Sequence, residues 1–232
     1  MKTFGQSESY HQELDWGMDV LDVGDTSGIG GVSILEGDRV FPAMNPGGRG
    51  SIRIERAILA EGPVRSTVAA KLYGVRTPRN QYDLSLTFSI YAGGQYSENW
   101  ISIHPAKPAT EIVYSPGFIK MPNDNWFMNS QDGYFGSWGR QNPRVQEIGM
   151  ASVFPRSALA GFAEGRAERW VKLRATPDHP AQFYIVGDWR RGRTFPVAPT
   201  AANWEKEIAD LARRLRSPAV WKLERAEWRA VP

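Results

Sequence analysis

The stretch Tyr10-His11-Gln12-Glu13-Leu14-Asp15-Trp16-Gly17-Met18-Asp19 puts a histidine, a phenol, three acids and an indole into ten residues. Such a set can supply a general base, a phenolic acid and a stacking platform. It can equally form a polar arm in which His11 only bonds to backbone. A second concentration holds Lys120, Asn123, Asp124, Asn125 and Trp126, then Asp132-Gly133-Tyr134-Phe135-Gly136-Ser137-Trp138-Gly139-Arg140-Gln141-Asn142. Flat aromatics beside amides, a carboxylate and a cation suit a sugar, whose C–H faces stack on rings while its hydroxyls bond to side chains. The plain alternative is a long loop that buries its own tryptophans.

His104 ends Ile101-Ser102-Ile103-His104-Pro105, and alternation puts it on the Ser102 side, as a proton-transfer candidate or a solvent-facing histidine. His179, in Pro177-Asp178-His179-Pro180, reads as a turn residue. No two histidines have H-x-H or H-x-x-x-H spacing, so a single divalent metal finds little support and no cofactor is implied. The glycines Gly28, Gly30 and Gly31 lack the Lys-Ser/Thr of a P-loop and the G-x-G-x-x-G spacing, and read as turn or close-packing positions before a strand. No G-x-S-x-G elbow is present, which counts against an α/β-hydrolase.

The elements that must position these residues are mostly strands. Ile52, Ile54 and Ile58 alternate with Arg53, Glu55 and Ala57; Val64 to Tyr73 and Leu84, Leu86, Phe88, Ile90 follow the same period of two. Turns are expected at Glu36-Gly37-Asp38, Glu61-Gly62-Pro63 and Ala92-Gly93-Gly94. Further strands fit residues 100–104, 111–114, 146–154, 168–175 and 182–186. Turn signals about every ten residues predict an antiparallel β-sandwich or barrel. One segment differs: Trp204, Ile208, Leu211 and Leu215 fall at helical spacing over residues 203–216, with Asn203 as N-cap, Glu205 and Glu207 in the first turn and Arg213, Arg214 and Arg216 in the last. Residues 10–31 and 116–143 resist assignment and are expected to be long loops that carry the site.

Composition narrows the class. The 232 residues are 41% hydrophobic and 23% charged, with 23 Gly, 16 Pro, 9 Trp, 8 Tyr and 10 Phe, which excludes disorder, coiled coil and collagen. A net charge of +3 gives no nucleic-acid footprint. The charge is uneven: residues 190–232 carry 10 Lys+Arg against 5 Asp+Glu, so the β body before them is slightly acidic. An anionic sugar would therefore be held by a few placed cations and not by a general field. Arginine outnumbers lysine 21 to 7, and its forked guanidinium suits carboxylates, although a GC-rich genome gives the same bias. Without cysteine there are no disulfides, thiolate metal sites or Cys nucleophiles, and the compartment stays open. No signal-like run opens the chain and no stretch approaches eighteen apolar residues, so a soluble protein without a membrane partner is expected, in the cytoplasm as given or exported if a signal was removed.

Taken in order, several pieces resemble one bacterial family. These are Tyr10-His11, then Gly17-Met18-Asp19-Val20-Leu21-Asp22-Val23-Gly24 with Gly30-Gly31, then Glu61-Gly62-Pro63-Val64-Arg65, then the strand before Ala92-Gly93. Gly133–Gly139 with Trp138, and Gly187-Asp188-Trp189 with Trp204 and Ser217-Pro218, complete the series. The family is catalogued as domain of unknown function 4861 and is associated with polysaccharide degradation. The resemblance spans about residues 10–218. It implies a single-domain galactose-mutarotase-like β-supersandwich with one C-terminal helix, acting on oligosaccharides that contain uronic acid or deoxysugar, with elimination of water or a glycosyl group as the chemistry. By this resemblance, the strands that precede the Tyr-His motif in the family are expected to be missing.

Elimination needs a base for the proton α to a carboxylate, a cation for the developing enolate and an acid for the leaving oxygen. By the resemblance, His11 is the base or acid and Tyr10 its partner. The residues themselves nominate Lys120, Arg140 and His104 for anion stabilisation and proton transfer, and Trp16, Asp19, Trp138 and Trp189 for substrate binding. The competing expectations are a non-catalytic carbohydrate-binding or structural module and a metal-dependent glycan hydrolase.

Overall fold

The computed structural model describes residues 12–13, 17–44, 52–193 and 195–217; Tyr10, His11 and Trp16 lie outside these residues. Strands β1 (Ile29–Glu36) and β2 (Arg39–Pro42) form the hairpin expected around Gly37, with Glu36 opposite Arg39. β3 (Arg53–Ala60), β4 (Arg65–Arg76), β5 (Gln81–Tyr91) and β6 (Tyr96–Pro105) form an antiparallel meander. β7 (Ile112–Ile119), β8 (Asn125–Asn129), β9 (Tyr134–Gly139), β10 (Ile148–Val153), β11 (Leu159–Glu164), β12 (Glu168–Ala175) and β13 (Ala181–Trp189) follow, then helix α1 (Ala201–Arg216).

Three of these strands correct the expected loop at 116–143. β7 continues through Pro116 and Gly117 to Ile119, and β8 and β9 pair from Asn125↔Trp138 to Asn129↔Tyr134. The expected loop at 10–31 likewise ends inside β1. Gly30, at φ +76°, lies where a Cβ would stand 2.7 Å from Ile185, so it serves close packing of β1 on the opposite sheet as its sequence position implies.

The strands make a five-stranded sheet, order β11-β12-β7-β1-β2, and an eight-stranded sheet, order β3-β4-β5-β6-β13-β10-β9-β8, all paired antiparallel. The fold is therefore a sandwich and not a closed barrel. Their facing sides bury Ile34, Leu84, Ile101, Ile103, Tyr114, Phe118, Met150 and Phe183 in one core. Tyr114 meets Phe183 at 6.0 Å and Phe118 meets Phe135 at 5.4 Å, so the rings lock the layers face to face. The larger sheet extends beyond β2, and an apolar cleft of about 1270 Å3 opens there between the hairpin and β3–β5.

Helix α1 covers the outer face of β9 and β10 with Trp204, Ile208, Leu211 and Ala212. Its N-cap is Thr200 and not Asn203: the Thr200 hydroxyl accepts the Asn203 backbone N–H at 3.2 Å. The helix thus starts three residues early, no acid occupies its first turn, and Arg213, Arg214 and Arg216 end it as the sequence predicts. Glu207 is held above the ordinary carboxylate range by burial first and then by the charge of Asp188. Because its folded pKa exceeds its unfolded one, its ionisation destabilises the fold above the unfolded pKa and not below it. Glu207→Gln is expected to raise the melting temperature at neutral pH and to lose that gain below about pH 4, the ordinary carboxylate range. A gain of equal size at both pH values would refute this account.

Candidate functional site

The strand directions decide which nominated residues can meet. β6, β13, β10 and β9 are successively antiparallel, so the C-terminal ends of β9 and β13 lie beside the N-terminal end of β6. Arg140, just after β9, and Trp189, at the end of β13, therefore share one end of the sandwich. Lys120 joins them there. It follows β7, and the turn after it comes against β9, where a Cβ on Gly139 would stand 2.8 Å from Asp124 and 3.5 Å from Met121. Asp19 belongs to the segment fixed to the same end by Asp22, whose N–H donates to Gln141 Oε1 at 2.7 Å and whose carbonyl accepts Gln141 Nε2 at 2.6 Å. Glu13, two positions after His11, is ion-paired with Arg191 beside Trp189.

His104 does not belong to this group. It stands at the opposite, C-terminal end of β6, exposed, and bonds to Asp178 in the turn after β12. β7 separates the two ends by its eight residues, about 26 Å. A site that uses His104 together with Lys120 or Arg140 is thus not formed, although His104 does face the Ser102 side as alternation predicts. His179 is a turn residue, its N–H reaching Thr176 O at 3.4 Å.

The aromatic nominations divide. Trp138 is 4% exposed and packs on Trp204 at 6.2 Å beneath α1, so it is core and offers no ring to a sugar. Its neighbours Gly136 and Gly139 make the segment look like a loop in sequence, whereas they admit Phe127 and Asp124 against the strand. Trp189 is half-buried, donates Nε1–H to Val145 O at 2.6 Å and lies 5.9 Å from the Arg191 guanidinium.

The charges at this end are largely neutralised in pairs. Lys120 pairs with Glu164, whose carboxyl is held below its ordinary range chiefly by that lysine. Arg169 pairs with Asp124 at 2.6 Å and lies 5.5 Å from the exposed Trp126. Arg140 is exposed and has no ion-pair partner among the described residues. Asp19 Oδ1 accepts the Leu21 N–H at 3.2 Å. Among the described residues no three His, Asp or Glu come together as metal ligands. No helix among them is long and apolar enough to cross a membrane.

Sequence reasoning missed a second polar constellation, on the outer face of the eight-stranded sheet. Glu98 Oε2 accepts the Tyr91 hydroxyl at 2.6 Å, and Oε1 accepts Gln182 Nε2 at 2.7 Å and Trp100 Nε1 at 3.2 Å. Its members come from three strands: the β5–β6 hairpin brings Tyr91 to Glu98, and the β6–β13 pairing, with Glu98 opposite Tyr184 and Trp100 opposite Gln182, adds Gln182. A run of alternating aromatic and polar residues at Tyr96, Glu98 and Trp100 was the signal available. The 1270 Å3 cleft, by contrast, contains none of the nominated residues and is lined mainly by aliphatic side chains.

No curated protein matches the chain. Among solved structures, a putative kojibiose phosphorylase from human microbiome is similar over 82% of this chain at 7% identity, with a TM-score of 0.48. The match takes in 25% of that protein, so the chain spans about a quarter of its length. The family described as Domain of unknown function (DUF4861) matches residues 2–220. With nearly the whole sequence inside that match, the chain belongs to the DUF4861 family.

Proposed function

We propose that this protein acts on oligosaccharides, at the end of the sandwich where Asp19, Lys120, Arg140 and Trp189 converge. That arrangement carries the reading, because four nominated residues, one from the 10–31 segment, two from the 116–143 segment and one from the end of β13, lie at one pole. The Arg140 guanidinium, without an ion-pair partner among the described residues, suits a sugar carboxylate and would neutralise the enolate that forms when the proton α to it leaves. In such an elimination the C–H electron pair becomes the new C=C bond, and the C–O bond breaks with its oxygen taking a proton from an acid. By the family resemblance Tyr10 and His11, outside the described residues, would move those protons. Trp189 and Asp19 would orient the sugar, and His104 has no part.

Turnover of uronate-containing oligosaccharides, followed by absorbance of the unsaturated product at about 235 nm, tests this. Arg140→Ala is expected to lower kcat/KM about 100-fold, the scale of losing one placed charge-stabilising donor, with an unchanged melting temperature. Turnover equal to that of the parent protein would remove Arg140 from the site. The pairing of Lys120 with Glu164 and of Arg169 with Asp124 favours a second reading, a non-catalytic carbohydrate-binding module. Oligosaccharide binding without product over long incubation selects that second reading.

A further inference from the structure

The Glu98 face differs in position and character from the pole just described. Its floor is the outer side of β5, β6 and β13, beside the part of the sheet that α1 covers. Tyr96 and Tyr184 meet edge to face at 5.7 Å and pack against the cluster under the helix, so one flank is a fixed aromatic wall. The other side is open: Trp100 is 39% exposed although it lies in the middle of a ten-residue strand within the sheet. Burial, then the charge of Glu98 and the neighbouring Tyr96 and Tyr91, push the Tyr184 hydroxyl up to about 12, so it remains a neutral donor at any physiological pH.

We propose that this face is a binding site for an uncharged saccharide, with Glu98 as the acceptor of its hydroxyls and Trp100 as its stacking platform. Glu98 accepts two hydrogen bonds on Oε1 and one on Oε2, and a carboxylate has about four acceptor positions, so one remains on Oε2. The Gln182 carbonyl and the Tyr184 hydroxyl stand beside it and add an acceptor and a donor for neighbouring hydroxyls. The bonds already made hold the carboxylate in place before any ligand arrives, which spares ordering cost on binding.

The ligand class follows from charge and ring orientation. A uronate would bring a second carboxylate toward Glu98, and the cations nearest this face, Arg65 opposite Tyr91 and Lys71 opposite Ser85, stand on β4 at its margin and not on the strands of its floor. An ammonium group needs ring faces directed at one point. Here an indole N–H and a phenol O–H, both in their ring planes, point at Glu98, so the rings turn their edges to it and the faces stay available for sugar C–H groups.

Calorimetric titration with neutral gluco- and galacto-oligosaccharides, oligogalacturonate and choline tests the assignment. At least one neutral series should bind, and Trp100→Ala should weaken it about tenfold, as expected for one lost stacking contact. Glu98→Gln should weaken the same ligand while the melting temperature holds, and Arg140→Ala should leave it unchanged, which separates this face from the strand-end pole. Failure of every neutral probe, equal binding of oligogalacturonate, binding of choline alone, or binding indifferent to Trp100→Ala would each overturn the proposal. Loss of elimination activity in Arg140→Ala with neutral-sugar binding intact would leave both readings standing.

Discussion

Trp204→Ala is expected to destabilise the protein by about 3–5 kcal/mol, the range for removing a large buried aromatic. Trp204 is 1% exposed and is the ring on which α1 rests: it contacts Trp138 at 6.2 Å, and a Cβ on Gly149 would stand 2.6 Å from it. That contact explains why a glycine occupies a buried position in β10, since only a bare backbone lets the indole lie flat on the sheet. Losing the indole leaves a hole that neither β9 nor β10 can close, because both are held on two sides by ladder bonds. The melting temperature should fall on the order of 10 °C, and the urea midpoint should drop with an unchanged slope. Trp204→Phe should cost much less, because the buried indole N–H has no acceptor among the described residues and its removal forfeits no bond. A loss below about 1 kcal/mol for the alanine variant, within the noise of a surface change, would show that the helix does not depend on this ring.

Gly133→Ala is the second large effect, about 3 kcal/mol or more from a strained φ and a steric clash together. Gly133 closes the turn between β8 and β9 at φ +71°, where its N–H donates to Asn129 O and its carbonyl accepts the Phe154 N–H, both at 2.9 Å. An added Cβ would fall 2.3 Å from the Phe154 carbonyl oxygen, a backbone atom that cannot swing away. The turn also anchors the end of α1, since Arg216 donates to the Asp132 carboxylate at 2.7 Å and to its carbonyl at 2.8 Å. Gly37→Ala is the control. It has a similar φ of +63° but nothing within 4 Å of the new Cβ, so only the conformational cost of about 1 kcal/mol should appear. Equal losses at the two positions in denaturant melts would mean that the clash at Gly133 relaxes freely.

The clearest readings from sequence are of elements with one wet and one dry face, although β10, buried at every position, also falls inside the strand expected over residues 146–154. In β4 and β5 the alternation is visible because half of each strand meets water, and in α1 the apolar stripe is clear for the same reason. β7 is buried almost throughout, so it shows no alternation, and Pro116 and Gly117 look like a break. The strand tolerates the proline because pairing with β12 passes from Tyr114 to Gly117, skipping the position where an N–H would be needed. β9 was hidden by its glycines, which are there to admit Phe127 and Asp124. Of the site, the grouping of Asp19, Lys120, Arg140 and Trp189 followed residues that sequence had marked. The Glu98 network stayed out of sight because Gln182 lies 84 positions from its partner and only strand order joins them.

That strand order also governs how the chain can assemble. β1 is flanked by β2 and β7, so the first hairpin has no second neighbour until a strand almost eighty residues later has formed. The meander β3–β6 can zip locally, but its sheet is joined to β10–β8 only through β13, the last of the described strands in chain order. Neither sheet is complete until residues near 175–189 are present, although β8–β10, whose outer face receives α1, can pair among themselves before then. Pairings of such long sequence separation place refolding in the millisecond-to-second regime and leave apolar strands uncovered meanwhile. In a growing chain, residues 168–189 are therefore what turns two half-built sheets into one molecule.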